Sequence, residues 1–143
     1  MIKKLAHLCI DTDDTPAMLD FYTNKLGLPL KFTLKNKDGV DFGFFIACGD
    51  TTFLEIFDRK LKRQHWGGAT DAPPAASKGT QLQHFCFEVQ NLPEFKAKLE
   101  QAGLKIGPLS TGMSKATQAW TADPDGNPIE LMEYTPEALH IQP

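Results

Sequence analysis

Cysteine is scarce, with three residues in 143. The count is odd. Cys9 and Cys86 lie in apolar strand-like runs and Cys48 precedes a turn. This usage argues against the disulfide framework of small secreted chains and for reduced thiols in a cytoplasm. No apolar run is long enough to cross a bilayer, so no membrane partner is expected. The N-terminus, MIKKLAHLCIDTDD, has two lysines but no apolar h-region, so no secretory signal is read there. No basic run stands out, and the net charge is −3. Nothing electrostatic therefore points to nucleic acid. What is there is ordinary: 41% hydrophobic and 23% charged residues, in a chain long enough to bury a core as one domain.

The informative feature is a repeat. LAHLCID (Leu5 to Asp11) matches LQHFCFE (Leu82 to Glu88), which puts His84 over His7 and Cys86 over Cys9. Pro93 falls over Pro16, each opening a helix-like stretch. Further on, TFLEIF (Thr52 to Phe57) answers PIELME (Pro128 to Glu133), with Glu130 over Glu55. A duplicated fold requires the apolar pattern to recur. It does not require a His and then a Glu to recur at the same two places.

The element reading follows the repeat. Lys4 to Asp11 alternates and is rich in β-formers, as a half-buried strand does. Asp14-Thr15-Pro16 starts a helix that carries Met18, Leu19, Tyr22 and Leu26 at helical spacing and stops at Gly27. Strands are expected over Lys31 to Lys35, Asp41 to Cys48 and Thr52 to Asp58. The second copy predicts a strand from Gln83 to Val89, a helix from Leu92 to Ala102, then strands near Lys105, over Ala116 to Thr121 and over Ile129 to Tyr134. Asp-Pro-Asp-Gly (Asp123 to Gly126) is a tight-turn sequence joining the last two into a hairpin. The fold class is α+β: one domain over 1–143, made of a βαβββ module (1–59), a linker (60–80) and a second module (81–135). The linker holds Gly67-Gly68 and Pro73-Pro74 and shows no periodicity.

Residues two apart on a strand share a face. His7 therefore shares one with Cys9 and Asp11, and His84 with Cys86 and Glu88. Two imidazoles and two carboxylates, one of each per copy, point to one shared site for a single divalent metal ion. A mixed N/O set suits Ni, Co, Zn, Mn or Fe with positions left for water or substrate. Gln118 and Trp120 share a face of the strand before the DPDG turn. Arg59 ends the first module and offers a cation to an anionic substrate. Cys9 and Cys86 read first as small buried hydrophobes. His65 and Trp66 stand in the linker, where they could close over a site, and His140 in the tail reads as a bystander.

From His7 through DFYTNKLGL (Asp20 to Leu28) to the DPDG turn and Glu130, the chain resembles the vicinal oxygen chelate superfamily. That family includes glyoxalase I, methylmalonyl-CoA epimerase, fosfomycin-resistance thiol transferases, bleomycin-resistance proteins and extradiol dioxygenases. The resemblance implies paired βαβββ modules forming a half-barrel around a metal, a homodimer, and His7, Glu55, His84 and Glu130 as the metal ligands. It implies bidentate capture of vicinal oxygens on a small-molecule substrate, with Glu130 or Glu55 as the proton-transfer base. It also makes Trp120, Gln118, Arg59, Cys9 and Asp11 candidate substrate contacts.

A four-residue His, Glu, His, Glu set is that of glyoxalase I within this family, so the expected activity is a metal-dependent lyase or isomerase acting on a small α-oxygenated substrate. Bacterial glyoxalase I carries an Arg for the glutathione carboxylate where Asp11 stands here. Asp11 would repel that carboxylate, which argues against glutathione as cosubstrate. Two alternatives are an Fe(II) ring-cleaving dioxygenase and a non-catalytic binding or resistance protein of the same fold. The fourth ligand takes a position that O₂ would need, and a pure binding protein predicts no metal at all.

Overall fold

The computed structural model describes residue 1, residues 3–71 and residues 82–143. The chain divides into two compact units, Met1–Ala76 and Ser77–Pro143. In the first, β1 (His7–Thr12) leads into α1 (Thr15–Leu19), followed by β2 (Leu30–Lys35), β3 (Asp41–Gly49), β4 (Thr52–Asp58) and α2 (Arg59–Trp66). In the second, β5 (Phe85–Glu88) is followed by α3 (Leu92–Gln101), β6 (Ser110–Thr111), β7 (Thr117–Ala122), β8 (Pro128–Glu133) and a 3₁₀ turn, Leu139–Ile141. Each unit is thus a β-α-β-β-β module, and the fold class is α+β.

Both units build a four-stranded sheet of the same order, β1-β4-β3-β2 and β5-β8-β7-β6. The first strand of each module crosses over by a helix and pairs parallel with the last, while the other pairs are antiparallel. Alternation then sorts the faces. In the first unit Leu54, Ile56, Phe44 and Ile46 are buried on one face of β3 and β4, and α1 packs on β4 with Met18 fully buried. In the second, Ile129, Leu131 and Ala119 are buried on β7 and β8, against which α3 packs with Leu92 and Leu99. The opposite face of each sheet carries the histidine and the glutamate.

Local chemistry explains the ends of these elements. Asp14 caps α1 by accepting from the Ala17 amide at 3.1 Å. Thr23 gives its hydroxyl to the Leu19 carbonyl at 2.7 Å, competing for the acceptor that the next α-helical turn needs. The chain over Asp20–Lys25 accordingly widens into a π-helical segment, and the Leu26 amide reaches back five residues to Phe21 at 2.9 Å. Gly27, at φ +75°, ends it in a conformation that favours glycine. In the second unit the Glu133 carboxylate accepts from the Asn91 and Leu92 amides at 2.8 and 2.9 Å. These are orphan donors at the start of α3. Asp58, at the same point of the first unit, caps α2 through the Leu61 amide at 2.8 Å.

Two expectations change. The strand near Lys105 is displaced to Ser110–Thr111 and shortened to two residues. Residues 105–107 still run beside β7, with the Gly107 amide donating to the Trp120 carbonyl at 2.8 Å. Pro108 has no amide hydrogen to continue the ladder. The expected linker begins as a helix, since α2 covers Arg59–Trp66. Its sequence, RKLKRQHW, lacks an apolar stripe, and it is held by the Asp58 cap and by side-chain contacts to the sheet. The remainder of that segment, 72–80, lies outside the described residues.

The DPDG turn is organised by one buried carboxylate. Asp123 Oδ1 accepts from the Asp125 and Asn127 amides at 3.0 and 2.9 Å, and Oδ2 accepts from Asn127 Nδ2 at 2.8 Å. Asp123 is itself 5% exposed, while the donors it holds are on exposed Asp125 and half-buried Asn127. The expected cost of Asp123→Ala is therefore about 1 kcal/mol, the net scale of hydrogen bonds whose donors can turn to water. Urea denaturation of the variant checks this, and an unchanged midpoint would show that the turn forms without the carboxylate.

Candidate metal centre

Each sheet brings one histidine and one glutamate together on the face away from its helix. In the second unit Cys86, Glu130 and Trp120 are register partners across β5, β8 and β7, so their side chains form one row on one face. His84 precedes β5 on the same face. Its Nε2 lies 3.3 Å from Glu130 Oε2, and the Glu130 side chain is only 9% exposed. The first unit repeats the row: Cys9, Glu55 and Phe45 are register partners across β1, β4 and β3. His7 Nε2 lies 3.7 Å from Glu55 Oε2, and the Glu55 side chain is 12% exposed.

These pairs fit a divalent ion. Donor atoms about 2.1 Å from one metal stand roughly 3.0–3.4 Å apart for octahedral to tetrahedral angles. The His84–Glu130 pair meets that spacing as it stands, and the His7–Glu55 pair is a few tenths of an ångström wider. Carboxylates are seldom as nearly buried as these two unless paired or metal-bound. Imidazole nitrogen and carboxylate oxygen suit Zn, Ni, Co, Mn or Fe. Among the described residues no group of three or more His, Cys, Asp or Glu side chains forms a ligand set by itself.

The cysteines stand within the rows. Both are exposed in their units, not the small buried hydrophobes expected, because the faces they stand on are uncovered. Partial burial and then the Glu55 carboxylate still push the Cys9 thiol up to about 11. Burial and then Glu130 push Cys86 up to about 12. Both are therefore protonated thiols near neutral pH rather than reactive thiolates.

The flanking residues have definite places. Trp120 is 38% exposed, and the His84 ring meets it edge to face at 4.8 Å between centroids. Phe45 holds the corresponding place in the first unit, 6.2 Å from His7 and stacked on Phe32 at 4.2 Å. Phe45 was not singled out in the sequence. The signal was present, because the spacing that puts Glu130 over Glu55 also puts Trp120 over Phe45. Gln118 shares the Trp120 face, and its amide lies over Gly112.

Asp11 is salt-bridged to Lys62 at 2.7 Å, and Lys62 also lies over the Phe57 ring. Arg59 is buried at the start of α2 and grips Asp13 with a two-pronged contact, both hydrogen bonds 2.7 Å long. That contact holds the Asp13 carboxyl below the usual range. His65 and Trp66 pack against Phe42, with centroids 4.9 and 5.2 Å away. His140 stacks on Tyr134 at 4.7 Å.

Known proteins share this plan. A family model described as "Glyoxalase/Bleomycin resistance protein/Dioxygenase superfamily" matches residues 4–131. A lactoylglutathione lyase of Escherichia coli O157:H7 is 28% identical over 134 residues, spanning 91% of this chain and 92% of that protein. Among solved structures, the protein SMU.1112c superposes with a TM-score of 0.76 at 25% identity, covering 93% of this chain and 100% of that one. A glyoxalase family protein from Enterococcus faecalis superposes with a TM-score of 0.70 at 26% identity, covering 92% and 98%.

Proposed function

Because the chain belongs to the Glyoxalase/Bleomycin resistance protein/Dioxygenase superfamily, we propose that it is a metal-dependent lyase or isomerase of the glyoxalase I type, acting on a small α-oxygenated substrate. The observation that carries the reading is the duplicated pair. One imidazole and one nearly buried carboxylate stand at the same register point of each sheet. His7, Glu55, His84 and Glu130 are the ligands of one divalent ion. When bound, that ion supplies the positive charge that neutralises an oxyanion developing on vicinal substrate oxygens. Relatives named lactoylglutathione lyase support the lyase reading.

The chain's own residues do the rest. Glu130 Oε2 takes the proton from the substrate carbon beside the oxygens and returns it to the neighbouring carbon, so the substrate isomerises without net oxidation. Glu55 is its counterpart in the first unit. Trp120 and Phe45 flank the two carboxylates with apolar surface, which restricts water and favours the proton transfer. Gln118 offers an amide donor and acceptor to a polar substrate group.

Metal analysis of protein purified without oxygen, followed by a screen of α-hydroxy and α-keto compounds with and without thiols, tests the proposal. One equivalent of divalent ion per four-residue set and metal-dependent exchange of the substrate α-hydrogen are expected. Absence of both would overturn it. Oxygen consumption instead would favour a ring-cleaving dioxygenase.

Each module contributes one His and one Glu to the set, so the proposal includes a homodimer in which modules of two chains complete it. Light scattering at micromolar concentration should give twice the chain mass. A clean monomer that still binds metal would leave the two modules of a single chain as the ligand source.

Glutathione is not the expected cosubstrate. Asp11 puts a negative charge where the glutathione carboxylate would be held in bacterial glyoxalase I, and Lys62, its partner at 2.7 Å, is already engaged. The hemithioacetal of methylglyoxal and glutathione should show a kcat/KM well below about 10⁶ M⁻¹s⁻¹, a value within the usual efficient range. Turnover at that level would make this an ordinary glyoxalase I.

A further inference from the structure

The two sheets carry matching rows of side chains that differ at one end. In the first unit Cys9, Glu55, Phe45 and Phe32 are register partners in turn across β1, β4, β3 and β2. In the second, Cys86, Glu130 and Trp120 are register partners across β5, β8 and β7. The backbone beside Trp120 is that of Gly107, whose amide donates to the Trp120 carbonyl at 2.8 Å. The spacing that puts Glu130 over Glu55 and Trp120 over Phe45 also puts Gly107 over Phe32. A phenyl ring fills this place in the first unit, stacked on Phe45 at 4.2 Å with 16° between the planes. In the second unit the glycine leaves it without a side chain. Among the described residues only the His84 ring is in aromatic contact with Trp120, and the tryptophan stays 38% exposed.

The backbone does not demand this glycine. Gly107 is not among the residues at positive φ. A Cβ placed on it would meet the Trp120 backbone oxygen, backbone nitrogen and Cβ at 3.4, 3.7 and 3.9 Å, which are ordinary contact distances. The nearness of the two Cβ positions puts a side chain at 107 on the Trp120 face, as for any directly opposed pair. The fold therefore accepts a ring here, and the first unit has one.

We propose that the place beside Trp120 and over Gly107 is a substrate subsite for an aromatic ring, stacked on the indole as Phe32 is stacked on Phe45. The inference rests on the reading of Glu130 as part of the reacting centre. Neighbouring strands stand about 4.8 Å apart, which puts the subsite about 10 Å from Glu130, two spacings along the row. A ring joined directly to the oxygen-bearing carbon does not reach it. A linker of roughly three methylene groups does. The substrate class narrows to α-oxygenated compounds that carry an aryl group on a short apolar chain.

The test uses two probes that differ only in the ring, α-hydroxy-δ-phenylvalerate and α-hydroxyvalerate. Calorimetry on the metal-loaded full chain should show the phenyl compound bound about tenfold more tightly, the scale of one stacked pair with the area it buries. Gly107→Phe puts the chain's own ring into the subsite. It should bring the two affinities to within about twofold of each other, with that for α-hydroxyvalerate unchanged. Mandelate, whose ring has no linker, should bind parent and variant alike. A tenfold preference that survives in Gly107→Phe overturns the proposal, and so does no preference in the parent.

A second arm needs neither that variant nor a metal. Trp66→Phe leaves Trp120 as the sole tryptophan, since the chain has 2. In the metal-free protein its emission should change with α-hydroxy-δ-phenylvalerate and not with α-hydroxyvalerate. The same response to both probes, or to neither, overturns the subsite even where Gly107→Phe does not fold. Emission that changes on dilution and not with the phenyl probe would assign the place to a side chain of a second copy, and also overturns it. If the parent binds no metal, the function proposal fails, while the emission arm still decides the subsite.

Discussion

Replacing Glu130 with glutamine is expected to lower turnover by roughly 10²-fold or more while leaving most of the metal affinity in place. The factor is the usual scale for removing a general base. Glutamine keeps a carbonyl oxygen at the position of Oε2, so the side chain remains a donor atom 3.3 Å from His84 in the present arrangement. It lacks a carboxylate that can take a proton. The loss should fall on kcat and kcat/KM together, the pattern for an interaction made only in the transition state. Glu130 is buried between Cys86 and Trp120 on neighbouring strands, so a neutral amide in its place carries little folding penalty. Parallel measurement of the Glu55→Gln variant assigns the base. A larger loss from Glu55→Gln would move the role to the first unit, and parental activity in both variants would remove the proton-transfer mechanism.

Much of the arrangement was legible because duplication writes the same constraint twice. β4 coincides with the strand read over Thr52 to Asp58, since alternation between a helix-facing core (Leu54, Ile56) and a polar face fixes both identity and register. The helix starts at Asp14 and Leu92 were marked by proline in the first turn. The parts that stayed hidden depend on tertiary contact. α2 has no apolar stripe of its own. It forms because Asp58 caps it, Asp13 and Asp11 receive Arg59 and Lys62, and Trp66 packs against Phe42 and Phe57. β6 is short because a single proline interrupts pairing. The widened helix over Asp20–Lys25 follows from one threonine hydroxyl, an effect smaller than any periodicity can register.

At the candidate site, strand parity placed His7, Cys9 and Asp11 on one face and Gln118 with Trp120 on another. The row structure Cys–Glu–aromatic emerged only from the strand order, because partners on β1, β4 and β3 are far apart in sequence. Arg59 shows the converse. Sequence alone offered it as a cation for substrate, whereas the fold gives it a carboxylate partner and buries it. Charge is visible in a sequence, but its partner is not.

His84→Ala should abolish stoichiometric metal binding. The variant removes one of four proposed donors. The expected weakening exceeds about 100-fold, the upper end of what loss of a mere outer-shell partner produces. Two readouts separate ligation from general damage. Metal content after dialysis should fall from one equivalent to near zero. The rise in melting temperature on adding metal, which follows mass action on the folded state, should disappear in the variant. The metal-free parent and variant should differ by no more than about 1 kcal/mol, since His84 is exposed just before β5 and what it loses is an edge-to-face contact with Trp120 and the 3.3 Å approach to Glu130. His7→Ala should behave alike, because the two histidines hold the same place in their modules. His140→Ala is the control: that ring stacks on Tyr134, so its loss should leave binding intact. Metal retained by His84→Ala at parental affinity would show that the duplicated pairs serve the sheets and not an ion.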